Sequence, residues 1–151
     1  NNAHIVWYEN RDGNNEIYYK RSFTPIKIIG SPNVGNTITF KISDPNSANL
    51  AYGSALSLGT SPGIQLSDGR IIPLNYDGAF YYSLYFPDQI GLSNTFGLLS
   101  SNGEGEVQWT IPNNPAIAGM TVYFGFITAD NSAYPDSFKF ISPPVAVTIL
   151  P

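Results

Sequence analysis

The chain has 151 residues, 12% of them charged and 42% hydrophobic, with a net charge of −4 and no cysteine. This length suits one domain that can bury a core without covalent staples, and the apolar share is too high for a disordered chain. The missing cysteines exclude a disulfide framework, a thiolate metal site and a cysteine nucleophile. Basic residues are scattered apart from Lys20-Arg21, which leaves no stripe for nucleic acid or an anionic membrane.

The predicted elements are all strands. His4 to Tyr8 and Glu16 to Arg21 are β-rich runs on either side of the turn residues Asp12-Gly13. They predict a two-stranded N-terminal arm over residues 1–23. Glu9, Arg11, Asp12, Glu16, Lys20 and Arg21 intersperse both signs along it, and one of the two tryptophans, Trp7, lies in it. A boundary follows at Ser22 to Pro25. Residues 24–151 then read as one β-domain.

Within that domain the next strands are Ile26 to Ile29, Asn36 to Ile42 and Leu50 to Leu58. Ile38, Phe40 and Ile42 alternate with Thr37, Thr39 and Lys41, the pattern of a strand with one face inward and one outward. A strand is also predicted over Phe80 to Phe86. It would turn Phe80, Tyr82, Leu84 and Phe86 to one side and Tyr81 and Tyr85 to the other. Glu106 to Ile111, Thr121 to Thr128, Ser137 to Ile141 and Val145 to Leu150 complete the series. In the last run Val145, Val147 and Ile149 form the packed face. Asp68-Gly69, Asp77-Gly78 and Asn102-Gly103 are dipeptides that tolerate positive φ and serve as turns. No segment keeps a 3.6-residue apolar period free of Pro and Gly, so no helix is predicted. The fold expected is an all-β antiparallel sandwich of Greek-key, immunoglobulin-like or jelly-roll type, with the arm attached. An up-and-down barrel is the alternative.

Two resemblances follow from motifs. The run His4-Ile5-Val6-Trp7-Tyr8, the turn Arg11-Asp12-Gly13 and the run Glu16-Ile17-Tyr18-Tyr19 resemble one repeat of a sialidase-type β-propeller. Glu9 or Asn10 stands where the repeat has its first Asp. The resemblance implies a hairpin, and it carries no catalytic residue of that family. Farther on, Gly35 to Phe40, Ala55 to Gly59 with Pro62-Gly63, Ile71 to Leu74 and Asn102-Gly103-Glu104-Gly105 form a second set. Trp109-Thr110-Ile111-Pro112, then Pro115, Gly119, Val122-Tyr123, Ile141-Ser142 and Val145 to Ile149, complete it. This portion, residues 31–150, is similar to a C-terminal β-sandwich module of large exported bacterial proteins. That resemblance implies an extracellular or cell-surface location and no catalysis. The start at Asn1-Asn2 fits the same expectation of a mature exported fragment.

Catalytic and metal constellations are sparse. His4 is the sole histidine, so a histidine-based metal site lacks a second ligand, and a Ser-His-Asp triad would have to be built at the start of the arm. Glu104 and Glu106 share one strand face beside a turn and read as a solvated strand end rather than a glycosidase pair. Asp12, Asn14 and Glu16, with Glu9, gather oxygen ligands around Gly13, the weak candidate for calcium. The Asp-x-Asp-x-Asp-Gly spacing is absent and Arg11 lies inside the group, so an ordinary hairpin turn is the simpler reading. Asp130, Asn131 and Asp136 are a second, weaker group. No other cofactor is implied.

Two functions fit these observations. The first is a non-catalytic extracellular structural subunit that self-assembles into a filament or surface layer. Copies would join by β-strand addition through the arm, with Ile5, Val6, Trp7, Tyr8, Ile17, Tyr18 and Tyr19 as the interface. The second is a carbohydrate-binding or adhesive appendage of a larger surface protein, with Tyr81 and Tyr85 as stacking surfaces. The partners implied are copies of the chain or a glycan, with no nucleic acid and no membrane insertion.

Overall fold

The computed structural model describes residues 24–151 in full, and of the first 23 the backbone of His4–Glu9 and Glu16–Arg21. These two strands, β1 (His4–Glu9) and β2 (Glu16–Arg21), pair antiparallel as a sheet of their own, with Trp7 opposite Tyr18 and Val6 opposite Tyr19. The chain continues through β3 (Ile26–Ile29), β4 (Thr37–Ser43), β5 (Ala51–Ser57), β6 (Ile64–Gln65) and β7 (Ile71–Ile72). A helix, α1 (Gly78–Tyr85), follows. After it come β8 (Leu92–Ser93), β9 (Phe96–Leu98), β10 (Glu104–Thr110), β11 (Thr121–Ala129), β12 (Phe138–Ile141) and β13 (Val145–Thr148).

The larger strands form two antiparallel sheets. One has the order β3-β4-β10-β8, the other β12-β11-β5-β9, with β13 also on β11. β12 and β13 follow one another along the same side of β11, which pairs Ile127 with Ile141 and Phe124 with Val145. Pro143 and Pro144 interrupt them, since proline cannot donate to a ladder. Ser142 keeps the connection by donating its N–H to the Phe126 carbonyl and accepting from the Phe126 N–H. After β3 the chain crosses over, and Asn33 pairs parallel with Leu150 at the end of the other sheet. The two sheets make an antiparallel β-sandwich, built without a cysteine bridge.

Side-chain alternation builds the core between the sheets. Ile38, Phe40 and Ile42 of β4 are wholly buried, as are Val107 of β10 and Phe124 of β11. Trp109, Leu92, Val122, Phe126, Val147 and Ile149 belong to the same layer. Each such side chain contributes roughly 1.5–3 kcal/mol relative to exposure. The β5–β11 pair is covered on its other face too. There Ala55, Leu74 and Phe80 form a second cluster beneath α1 and the β6–β7 hairpin.

The strand expected over Phe80 to Phe86 is instead α1, a correction with a local cause. Asp77, in an extended conformation, accepts the Phe80 N–H at 3.0 Å and caps the helix. Gly78 is the first helical residue and has no positive φ, so Asp77-Gly78 is a helix start and not a hairpin turn. Pro87 lies directly after the C-cap Phe86 and limits the helix at that end. Asp68-Gly69 and Asn102-Gly103 are turns as expected, with φ of 88° at Gly69 and 74° at Gly103.

Candidate functional site

Two opposite requirements fix the orientation of α1. Its inward side must fill the space over Ala55 and Leu74, and Phe80 and Leu84 do so. Ser83 is buried as well. It donates to the Ala79 carbonyl at 2.7 Å and accepts the Leu56 N–H of β5 at 2.9 Å. Ser54 two residues earlier donates its N–H to Thr95, just before β9. Alternate residues of a strand point their N–H groups to the same side, so α1 takes over the edge of β5 where β9 stops.

With 80, 83 and 84 inward, positions 81, 82, 85 and 86 face water, as a 3.6-residue repeat requires. Tyr81, Tyr82, Tyr85 and Phe86 are 41, 40, 59 and 43% exposed. Their rings lean on one another. Tyr81 lies 4.8 Å from Tyr85 and 6.0 Å from Phe86, and Tyr82 lies 5.9 Å from Phe86. Tyr81 and Tyr85 thus share one outward face, as the sequence suggested, although through helical spacing. Tyr82 and Phe86 join them there rather than lying on the opposite side with Phe80, as a strand would place them.

Beside this helix runs β9, the outermost strand of its sheet. Phe96 and Leu98 are exposed; Phe96 lines the cavity beneath α1, and Leu98, two residues on, points to the same face of the strand. The Phe96 ring sits over Gly53 opposite it, 3.0 Å from where a Cβ would stand, while Tyr52 sits over Gly97 on the core face. Tyr52 also donates its hydroxyl to the Asn94 carbonyl at 2.9 Å, and burial raises its phenol above the usual tyrosine range. An apolar cavity of about 70 Å³ lies beneath α1, with Gly53, Ala55, Gly125, Phe80, Leu84 and Phe96 in its wall. No Lys or Arg occurs between Ile71 and Phe138 in the chain.

The other sequence candidates lie elsewhere. Ile5, Val6, Trp7 and Tyr8 fall on β1 and Ile17, Tyr18 and Tyr19 on β2, with their side chains outside the described residues. The same holds for His4 and Glu16, and Asp12 and Asn14 are wholly outside. Asp130 is engaged by the Ser132 N–H at 2.8 Å and by the Lys139 ammonium at 3.0 Å. Glu104 and Glu106 are exposed on β10, and Glu106 pairs with Lys41 at 2.9 Å across to β4, a hydrogen bond that raises the Lys41 pKa. Among the described residues no three His, Asp or Glu side chains come together as a metal site. Among them, too, no helix is long and apolar enough to cross a membrane.

No family model matches the chain, and no curated protein matches it significantly.

Proposed function

We propose that the chain is a non-catalytic, extracellular adhesive module that binds carbohydrate through the outward face of α1. The observation that carries this reading is the cluster of Tyr81, Tyr82, Tyr85 and Phe86, each at least 40% exposed and in ring contact with its neighbours. Exposed aromatic rings offer apolar faces to the C–H faces of pyranose rings, and tyrosine adds a hydroxyl at the rim. The face is the outward side of α1 and carries no basic group of its own. It suits an extended neutral polysaccharide lying across it better than a monosaccharide in a pocket. The resemblance of residues 31–150 to appendage modules of exported proteins supports the same role.

Binding to a panel of immobilised polysaccharides tests it, with the Tyr81→Ala/Tyr85→Ala double variant as comparison. The expected result is retention of the native chain and at least about a tenfold loss in the variant, from two stacking contacts of roughly 1 kcal/mol each. No retention on any glycan, or equal retention of the variant, would overturn the reading.

Self-assembly through residues 1–23 is the second reading. It is favoured by the pairing of β1 with β2 as a separate two-stranded sheet, an element of marginal stability when left unsupported. Removal of residues 1–23 should then leave a folded chain that forms no filaments by negative-stain microscopy. Filaments from the truncated chain would sink it.

A further inference from the structure

We infer that β9 is a homotypic edge, at which two copies of the chain pair strand to strand about a two-fold axis at Gly97. The hydrogen-bond parity of the sheet is the starting point. Leu99 donates to Leu50 and Ser54 donates to Thr95, so Thr95, Gly97 and Leu99 turn their peptide groups toward β5. Phe96 and Leu98 therefore direct N–H and C=O outward, at the end of the sheet order. An exposed edge of this kind is a template for another strand.

The sequence of the edge favours a second copy as that strand. In an antiparallel pair centred on Gly97, Phe96 of each copy stands opposite Leu98 of the other. Those are the two residues with outward peptide groups, so the pairing forms a closed set of four backbone hydrogen bonds. Phe96 and Leu98 are 57 and 72% exposed and lie on the same face of the strand. Each would cover the other across the axis, the arrangement by which cross-strand aromatic and aliphatic pairs stabilise sheets. Gly97 meets Gly97 at the axis. Charge permits the approach, because no charged residue occurs between Asp88 and Glu104, and no proline between Pro87 and Pro112. Its shortness is the one usual protection of an edge strand that β9 has, and neither a charge nor a proline blocks the approach.

The interface is small. Three residues a side fall well below the roughly 800 Å² per partner of a standard interface. The dimer is therefore weak, with a dissociation constant of about 0.1–1 mM. It closes on itself, because a two-fold contact leaves no free edge on β9 for a third copy. This inference is independent of the carbohydrate reading, since it uses the β9 backbone and not the α1 rings.

Sedimentation equilibrium and an NMR dilution series from about 0.02 to about 2 mM test it on the full chain. The expected result is a monomer–dimer equilibrium in which the Phe96 and Leu98 amide signals shift with concentration and the Gly97 amide stays fixed. Leu98→Lys should raise the dissociation constant at least about tenfold, because it sets a charge against the Phe96 ring on either side of the axis. It should leave thermal unfolding unchanged, because Leu98 packs on little. Tyr81→Ala/Tyr85→Ala should dimerise like the native chain. A monomer throughout the range, or shifts confined to residues away from β9, would overturn the inference. If Leu98→Lys fails to fold, the amide pattern of the native chain still decides.

Discussion

The Phe40 and Phe124 rings, one from each sheet, stack 3.8 Å apart with their planes 3° from parallel. Both are wholly buried and sit at the centre of the sandwich. Phe124→Ala would remove one ring and leave Phe40 facing a cavity that a two-sheet frame closes only in part. Destabilisation of about 3–5 kcal/mol is expected, read as a lower denaturation midpoint in urea. A change below about 1 kcal/mol would mean that the sheets do not meet through this pair.

Asp77 ties α1 to the end of β5. One carboxylate oxygen accepts from the Ser57 hydroxyl and the Leu58 N–H, both at 2.8 Å, and the other caps the helix at Phe80. Asp77→Ala should cost about 1–2 kcal/mol, chiefly the lost cap, because the Ser57 hydroxyl keeps the Gly59 carbonyl at 2.7 Å and Leu58 is exposed. Amide exchange should rise first over residues 78–86, while β10 and β11 amides hold. Asp77→Asn keeps an acceptor for the cap and should cost less. Uniform loss of protection across the chain in both variants would contradict a local role.

Gly103 occupies a position that a side chain cannot share. Its φ is 74°, and an added Cβ would run into the Asp44 carbonyl oxygen. Its own carbonyl accepts the Asp44 N–H at 2.8 Å, so the turn cannot swing away without losing that bond. Gly103→Ala should destabilise the fold by at least about 2 kcal/mol, and a chemical-denaturation curve measures it. A neutral Gly103→Ala would show that the turn relaxes freely.

The loop before β12 carries a pH response. The Ser132 N–H, the Ser132 side chain and the Lys139 ammonium together hold the Asp130 carboxyl down to about 2, from its ordinary 3.8. The folded value lies below the unfolded one. This contribution is therefore fully present above about pH 4 and disappears as the pH falls through about 2. Carbon-detected NMR titration of the Asp130 carboxyl should give that low midpoint. Lys139→Met should move it upward, and a midpoint that stays fixed would assign the effect to Ser132 alone.

Long alternating strands were legible because burial has the same two-residue period as the pleat. Ile38, Phe40 and Ile42 were read as inward and are wholly buried, and the strand predicted over Ile26 to Ile29 has the same bounds in the structure. β6 to β9 went unread, since two or three residues are too few to display a period. The helix was missed because its residues are aromatic and suit strands by propensity. The overlooked signal was Asp77 three residues before Phe80, with Pro87 beyond the far end. Tyr81 and Tyr85 nonetheless share one exposed face, because a spacing of four returns to one face in a strand and in a helix alike. Tyr82 and Phe86 have the same spacing, and the strand reading grouped them with Phe80 instead of with Tyr81 and Tyr85.

What the sequence by itself determined was the class of structure: β-strands with one apolar face, punctuated by Asp-Gly and Asn-Gly turns, in a cysteine-free chain whose core must come from packing alone. Those are local properties, carried by side-chain alternation and backbone freedom within a few residues. The tertiary structure decided which strands became neighbours, which face of the β5–β11 pair received α1, and that Phe80 and Leu84 of α1 share a cavity with Phe96 of β9. Those outcomes depend on contacts between residues far apart in the chain. Asp77 reaching the end of β5, and Ser83 meeting the Leu56 N–H where β9 stops, have no signature in any window short enough to show a period.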